Sequence, residues 1–274
     1  MARPNPKDLD LLDPALEKYL SPKEIRKLTR KQKRQARGNQ INHVVEIERY
    51  RKKELTPKTK NQSLLKTAIQ TTAQTVTIGP AGTGKTYVPA FMAATMMIEK
   101  KIEKIIITRP NVPAGPTIGL FPGTLEEKMA PWVEPIISVL KDVMGAHVYE
   151  IAKKNGDIVV VPFEVIRGRT FENAFVILDE AQNTTESEMQ AFLTRIGEDS
   201  KVVINGDIAQ KDLKGDSGLS LILRILNKDY NLYSQISVIE FTSDDVVRSG
   251  ICRDWIKAFE RDEKDGRKIH PGLC

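Results

Sequence analysis

An eight-residue run, Gly79 to Thr86 (GPAGTGKT), constrains this chain more than any other feature. It fits the pattern G-x-x-x-x-G-K-[ST], in which a glycine-rich turn wraps its backbone N–H groups around phosphate oxygens. The preceding TVTIG, from Thr75, is short and β-branched like a buried strand. The following TYVPAFMAATMMIEKK carries a broad apolar face at helical spacing. Strand, glycine loop and helix together are the context such a run requires, because the helix N-terminus adds partial positive charge behind the bound anion. Gly79, Pro80, Ala81, Gly82, Thr83 and Gly84 are therefore candidate phosphate-cradling positions. Lys85 is expected to reach the β- and γ-phosphates of a nucleoside triphosphate, and Thr86 to offer its hydroxyl to Mg²⁺.

A second signal stands about ninety residues on. AFVILDEAQNTT is an apolar strand ending in Asp179 and Glu180. Two adjacent carboxylates repel unless a cation lies nearby, so Asp179 is predicted to hold Mg²⁺ and Glu180 to polarise an attacking water. Gln182 and Gln210, the latter after the strand KVVINGD, are expected on the γ-phosphate side. Gln62 precedes the loop within a short amphipathic helix, where its amide could bond an adenine edge. Thr185 with Glu188 forms a capping box that starts a helix ending at Gly197. Asn155-Gly156 reads as a helix C-cap, and Ser217 as the start of the helix SGLSLILRILN.

Three arginines follow strand-like runs, where an open parallel sheet places its ligands. Arg109 ends KIIIT; phosphate contact and an ion pair with Glu126 or Glu127 both fit it. Arg167 and Arg169 flank a glycine and fit either nucleic-acid phosphates or buried ion pairs. The segment TLEEKMAPWVEPIISVLKDVM reads as helical turns punctuated by Pro131 and Pro135, with Trp132 placed in the core in preference to the alternative of a base-stacking platform.

Charge is unevenly placed. The chain carries a net +6, yet residues 1–60 hold 17 Lys and Arg against 8 Asp and Glu, so the rest is slightly acidic. The arm fits a solvated helix or disordered tail, or a nucleic-acid arm that binds phosphates without reading sequence. The two cysteines, Cys252 and Cys274, have no metal-ligand spacing. No apolar run reaches membrane-spanning length and the start lacks a signal-peptide block, so a cytoplasmic protein without membrane contact is expected.

The blocks GPAGTGKT, TRPNV, LFPGTLEEKM, RGRTFENAFVILDEAQNTT, FLTRIGEDSKVVINGD, DLKGDSGL and DDVVRS, in that order, resemble the PhoH family of ATPases, which is similar to superfamily 1 helicases in its nucleotide core. The resemblance implies an α/β P-loop NTPase with a RecA-like, mostly parallel sheet and helices on both faces. It implies that Lys85 and Thr86 serve phosphate and metal, that Asp179 and Glu180 form the hydrolytic pair, and that protomers assemble into a ring such as a hexamer. Residues 1–54 are then a basic arm, 55–262 the ATPase domain and 263–274 a tail. The expected activity is Mg²⁺-dependent ATP hydrolysis coupled to RNA or single-stranded DNA. A nucleotide kinase and an ATP-dependent oligomeric scaffold are the rival readings.

About 67 residues follow Asp207, too few for a second RecA-like lobe. An arginine covering the γ-phosphate would then have to come from a neighbouring protomer. Arg248 is the first candidate and Arg195 the second, with an ion pair from Arg248 to Asp244 or Asp245 as the competing reading.

Overall fold

In the computed structural model, residues 53–110, 125–166, 170–212 and 215–265 are described, and the statements below concern them. Arg167, Arg169, most of the arm and most of the tail lie outside this set.

Six short runs rich in Val, Ile and Thr become strands: β1 (Gln74–Ile78), β2 (Lys104–Arg109), β3 (Ile158–Pro162), β4 (Ala174–Leu178), β5 (Lys201–Gly206) and β6 (Ile236–Glu240). Every pairing is parallel, in the order β3-β2-β4-β5-β1-β6. A parallel sheet is covered on both faces, which is why its central strands read as continuous apolar runs rather than alternating ones. All five residues of β4 are buried.

Helices α1 (Lys60–Thr71), α2 (Tyr87–Ile98), α3 (Leu125–Met144) and α4 (Ala146–Asn155) cover one face, sharing a core with Ile105, Ile107, Phe175, Ile177 and Val203. Helices α5 (Glu186–Leu193) and α6 (Gly218–Leu226) cover the other, against Val176, Leu178, Val202 and Ile204. A short α7 (Tyr230–Tyr233) precedes β6, and α8 (Gly250–Asp265) closes the described chain. The loop strand β1 lies between β5 and β6, one strand away from the acid-bearing β4. This is the mostly parallel α/β sheet with helices on both faces that was expected, and it brings the ends of β1, β2, β4 and β5 to one edge. Among the described residues, no helix is long and apolar enough to cross a membrane.

Local signals set most boundaries. The Thr185–Glu188 capping box is formed, Ser217 accepts from the N–H of Ser220, and Gly156 ends α4 at φ 81°. Two boundaries differ from the sequence reading. Helix α5 stops at Leu193 rather than Gly197, because Arg195 and Gly197 bond the backbone of Phe171 and draw the chain into a parallel bridge. Helix α3 continues through Pro131 and Pro135 as one element. Both prolines are exposed, while Val133, Ile136, Ile137 and Leu140 form a buried stripe on its other side. That burial outweighs the missing backbone hydrogen bonds.

A polar tie crosses the sheet under the loop: the Thr77 hydroxyl donates to Oδ1 of Asn205 at 2.7 Å, with both residues buried. Thr77→Val removes one partner, and we expect a loss of about 1–3 kcal/mol, a drop in Tm of several degrees. The double variant Thr77→Val/Asn205→Leu should recover part of that loss, since removing both polar groups avoids a stranded acceptor. Thermal melts of the three proteins check this, and an additive double variant would refute the pairing.

Candidate active site

Three loop glycines bend the chain back on itself at positive φ: Gly79 at 133°, Gly82 at 81° and Gly84 at 92°. A side chain at Gly79 would also place its Cβ 2.2 Å from the Phe241 carbonyl oxygen, so both conformation and space require glycine there. The turn leads into α2, whose N-cap is Thr86. Lys85 reaches back to donate to the carbonyls of Gly79 and Pro80, the latter at 2.7 Å. Burial lowers the Lys85 pKa, while Asp207, Asp179 and Glu180 oppose that shift. A bound polyphosphate would supply the negative charge this ammonium lacks.

The loop and the acidic strand end meet directly. The Thr86 hydroxyl donates to Oδ1 of Asp179 at 3.1 Å. Asp179 has its pKa raised by burial first and by neighbouring Glu180 second, with Arg109, Thr86 and Lys85 offsetting only part of this. A buried carboxylate beside a second one is a poor place for bare charge and a good place for a hard cation. Thr86 and Asp179 fit Mg²⁺ in that respect. Among the described residues no cluster of three or more His, Cys, Asp and Glu exists, so such an ion would complete its shell from water and phosphate oxygens.

Glu180 adopts left-handed backbone angles, φ 55° and ψ 41°, a conformation a glutamate takes only when its surroundings impose it. Its carboxylate is held from two sides. Arg109 lies 3.9 Å away, and the Gln182 amide donates to it. Gln182 in turn accepts from the Asp207 N–H at 3.0 Å, bridging the ends of β4 and β5. Asn183 does the same for Asp212, whose N–H it accepts at 2.9 Å.

These groups surround a cleft of about 390 Å³, lined by Lys85, Thr86, Asp179, Glu180, Arg109 and Gln210, among others. Arg109 is thus a neighbour of Glu180 and a wall of the cleft; the side chains of Glu126 and Glu127, its other candidate partners, lie outside the described set.

Several candidates stand elsewhere than expected. Gln62 is buried beside the loop instead of facing a base: its Nε2 donates to the Thr83 carbonyl at 2.9 Å and its Oε1 accepts from the Lys58 N–H at 2.8 Å. Both ends of the amide are engaged by main chain. Arg248 belongs to its own chain's cleft, with its side chain lying over Gly82, close enough that a Cβ there would sit 2.8 Å from Nε. The adjacent Val247 N–H donates to the Gly82 carbonyl at 2.9 Å. The competing reading, an ion pair of Arg248 with Asp244 or Asp245, is not formed: Asp244 pairs with Lys257 and Asp245 accepts from Asn61. Arg195 is far from the cleft: its carbonyl bonds Phe171 ahead of β4, at the opposite edge of the sheet. Trp132, read from sequence as core, is 37% exposed and lines the cleft.

The sequence reading missed Asp245 as a structural hub. Burial would raise its pKa, but hydrogen bonds from the Thr242 N–H, Thr59 and Asn61 outweigh that and hold it below the usual carboxylate value. It ties the start of α1 to the turn carrying Val247 and Arg248. Only its Asp-Asp-Val-Val-Arg context marked it.

Residues 54–260 match the model of a family described as PhoH-like protein. A PhoH-like protein of Mycobacterium tuberculosis (strain ATCC 25618 / H37Rv) is 42% identical over 222 residues, 80% of this chain and 62% of the relative. One from Bacillus subtilis is 45% identical over 186 residues, covering 67% and 57%, and Protein PhoH of Escherichia coli K12 is 42% identical over 185, covering 66% and 51%. The chain therefore spans about half to three fifths of the length of these relatives. Among solved structures, the UvsW helicase from bacteriophage T4 is similar at a TM-score of 0.42 and 13% identity, over 70% of this chain and 61% of that one.

Two outcomes follow from the electrostatics. Without divalent cation, Asp179→Asn should raise Tm by about 2–4 °C, because it removes a buried charge worth on the order of 1 kcal/mol. An unchanged or lower Tm would contradict that burial cost. Asp245 has a depressed folded pKa, so its contribution is complete above the unfolded value of about 3.9 and is lost as pH falls through the lower folded value. The stability gap between wild type and Asp245→Ala, from denaturant melts, should be constant near neutrality and narrow below about pH 4.

Proposed function

The chain belongs to the PhoH-like family, and from that premise we propose that it binds ATP with Mg²⁺ and hydrolyses it to ADP and phosphate, coupled to binding or remodelling of RNA or single-stranded DNA. One observation carries this reading: the 3.1 Å contact between Thr86 and Asp179, which joins a phosphate loop to a strand-end carboxylate pair in a single cleft.

In this reading the loop N–H groups and Lys85 bind the phosphates, and Thr86 and Asp179 hold Mg²⁺. The ion would neutralise charge on the phosphate oxygens as the terminal bond breaks. Glu180, steadied by Arg109 and Gln182, orients the attacking water and accepts its proton. Gln210 on the cleft wall hydrogen-bonds near the γ-phosphate. Arg248, lying over its own loop, supplies the arginine in cis, so none is required from a neighbouring protomer. A ring of protomers would then serve another purpose than completing the active site. The DEAQ run at the end of β4, with its carboxylate already braced, favours water over a nucleoside acceptor, against a nucleotide kinase. Arg109 at the strand edge, and outside the described residues the basic arm with Arg167 and Arg169, supply the cations a strand would need.

ATPase rate measured with and without single-stranded RNA or DNA across a salt series tests the coupling. Stimulation that declines steeply with log salt supports it; a rate indifferent to either strand at every salt removes it and leaves the oligomeric scaffold.

Lys85→Ala should abolish nucleotide binding, whereas Glu180→Gln should bind ATP and hydrolyse it about 10²- to 10⁴-fold more slowly. Equal rates for Glu180→Gln and wild type would refute the carboxylate's role. Arg248→Ala should lower kcat by about 10³-fold or more with ATP still bound. Mixing Arg248→Ala with Lys85→Ala protomers should restore nothing, because each active site uses its own arginine. Recovered activity in the mixture would return that arginine to the neighbouring protomer.

A further inference from the structure

Helix α3 has more apolar surface than its packing needs. Its buried stripe, Met129, Val133, Ile136, Ile137 and Leu140, already seats it on the sheet. Trp132 and Pro135, at i and i+3, are exposed on another face, and together with Val139, itself partly packed on the core, they line the wall of the phosphate-loop cleft. The Trp132 indole is 37% exposed there. Tyr87, the residue directly after Thr86, is 46% exposed on the same cleft, and its ring packs against Phe91 at 6.1 Å. The aromatic wall thus begins where the phosphate loop ends. Phosphate and metal chemistry has no use for an indole. A nucleotide, however, joins a polyphosphate to a flat aromatic base.

Gln62 sharpens the point. The amide that sequence placed on the base edge is engaged at both ends by the backbone and contributes nothing to the cleft wall. On the wall formed by Tyr87, Trp132, Pro135 and Val139, a base entering this cleft meets rings and aliphatic carbon.

We propose that Trp132, with Tyr87, is a stacking platform for a nucleobase, held by its flat face rather than by hydrogen bonds to its edge. Such a platform accepts any base, since every base has a π-face. The base can belong to the bound nucleotide, whose phosphates occupy the loop, or to a nucleic-acid strand, whose phosphate Arg109 on the same wall would hold. The proposal rests on reading the loop as a polyphosphate site. Its second source rests also on coupling to a strand.

Single-tryptophan fluorescence separates these cases. Trp255 lies on α8, outside the cleft, stacked on Phe259. The full-length Trp255→Phe protein therefore reports Trp132 alone. It is titrated with Mg²⁺ and ATP, GTP, CTP or UTP, with inorganic tripolyphosphate, and with a deoxythymidine 12-mer against an abasic 12-mer.

If the nucleotide supplies the base, all four triphosphates change the emission and bind within about tenfold of each other, while tripolyphosphate binds without that change. Trp132→Ala then weakens nucleotide binding about 5- to 150-fold and leaves tripolyphosphate affinity unaltered; Trp132→Phe recovers most of the loss. If a strand supplies it, the thymidine 12-mer changes the emission and the abasic one does not, with the same loss and recovery among the variants. Thermal melts confirm that each variant is folded. Base-independent emission and affinity in both series overturn the platform while tripolyphosphate binding still upholds the loop. Failure of tripolyphosphate itself to bind would instead bring down the polyphosphate reading, and the platform with it.

Discussion

The hydrogen bond from Thr86 to Asp179 places two segments almost a hundred residues apart within reach of one ion, and most of the architecture serves that meeting. It requires β1 and β4 to end at the same edge, which a parallel sheet with helical crossovers provides. It also requires a buried carboxylate beside a second one. That arrangement costs stability unless positive charge compensates, and Lys85 and Arg109 do so in part. On the proposed function, ligand binding would stabilise such a site, because polyphosphate and a divalent ion would bring the charges that the folded chain leaves unbalanced.

The phosphate loop itself is held by more than its own turns. The carbonyls of Gly82 and Thr83 accept from two elements that come from opposite ends of the domain, the Val247 N–H and the Gln62 amide. Asp245 ties those elements together through Asn61 and Thr59. With those loop carbonyls engaged from behind, the backbone that would present its N–H groups to a phosphate is held in place. Such preorganisation limits the reorganisation needed when an anion binds. It also explains why Gln62, plausible for a base edge when only its place in the chain is considered, is used as a brace.

Much of the fold was legible because its determinants are local. The apolar strands, the capping box at Thr185, the cap at Ser217 and the C-cap at Gly156 all act within a few residues. The prolines of α3 show where local reasoning fails. Propensity says that Pro131 and Pro135 break a helix, yet the stripe from Met129 to Leu140 has a sheet to pack against, and that sheet is not encoded nearby in the chain. Trp132 failed for a related reason: a single residue's hydrophobicity does not say which side of its helix meets the core.

The sequence by itself determined that a glycine turn joins a strand to a helix and that two adjacent carboxylates follow another strand, since both depend on short-range geometry. It also determined that these belong to a parallel α/β sheet. The placement of the arginines was decided only by the tertiary structure. Arg248 reaches its own loop because β6 pairs with β1, which carries the turn after β6 onto Gly82, and Arg195 is removed to the far edge because α5 runs away from the cleft. An arginine's role depends on where its long side chain ends, and that is set by which strands lie side by side, a relation between residues far apart in the chain that no local pattern records.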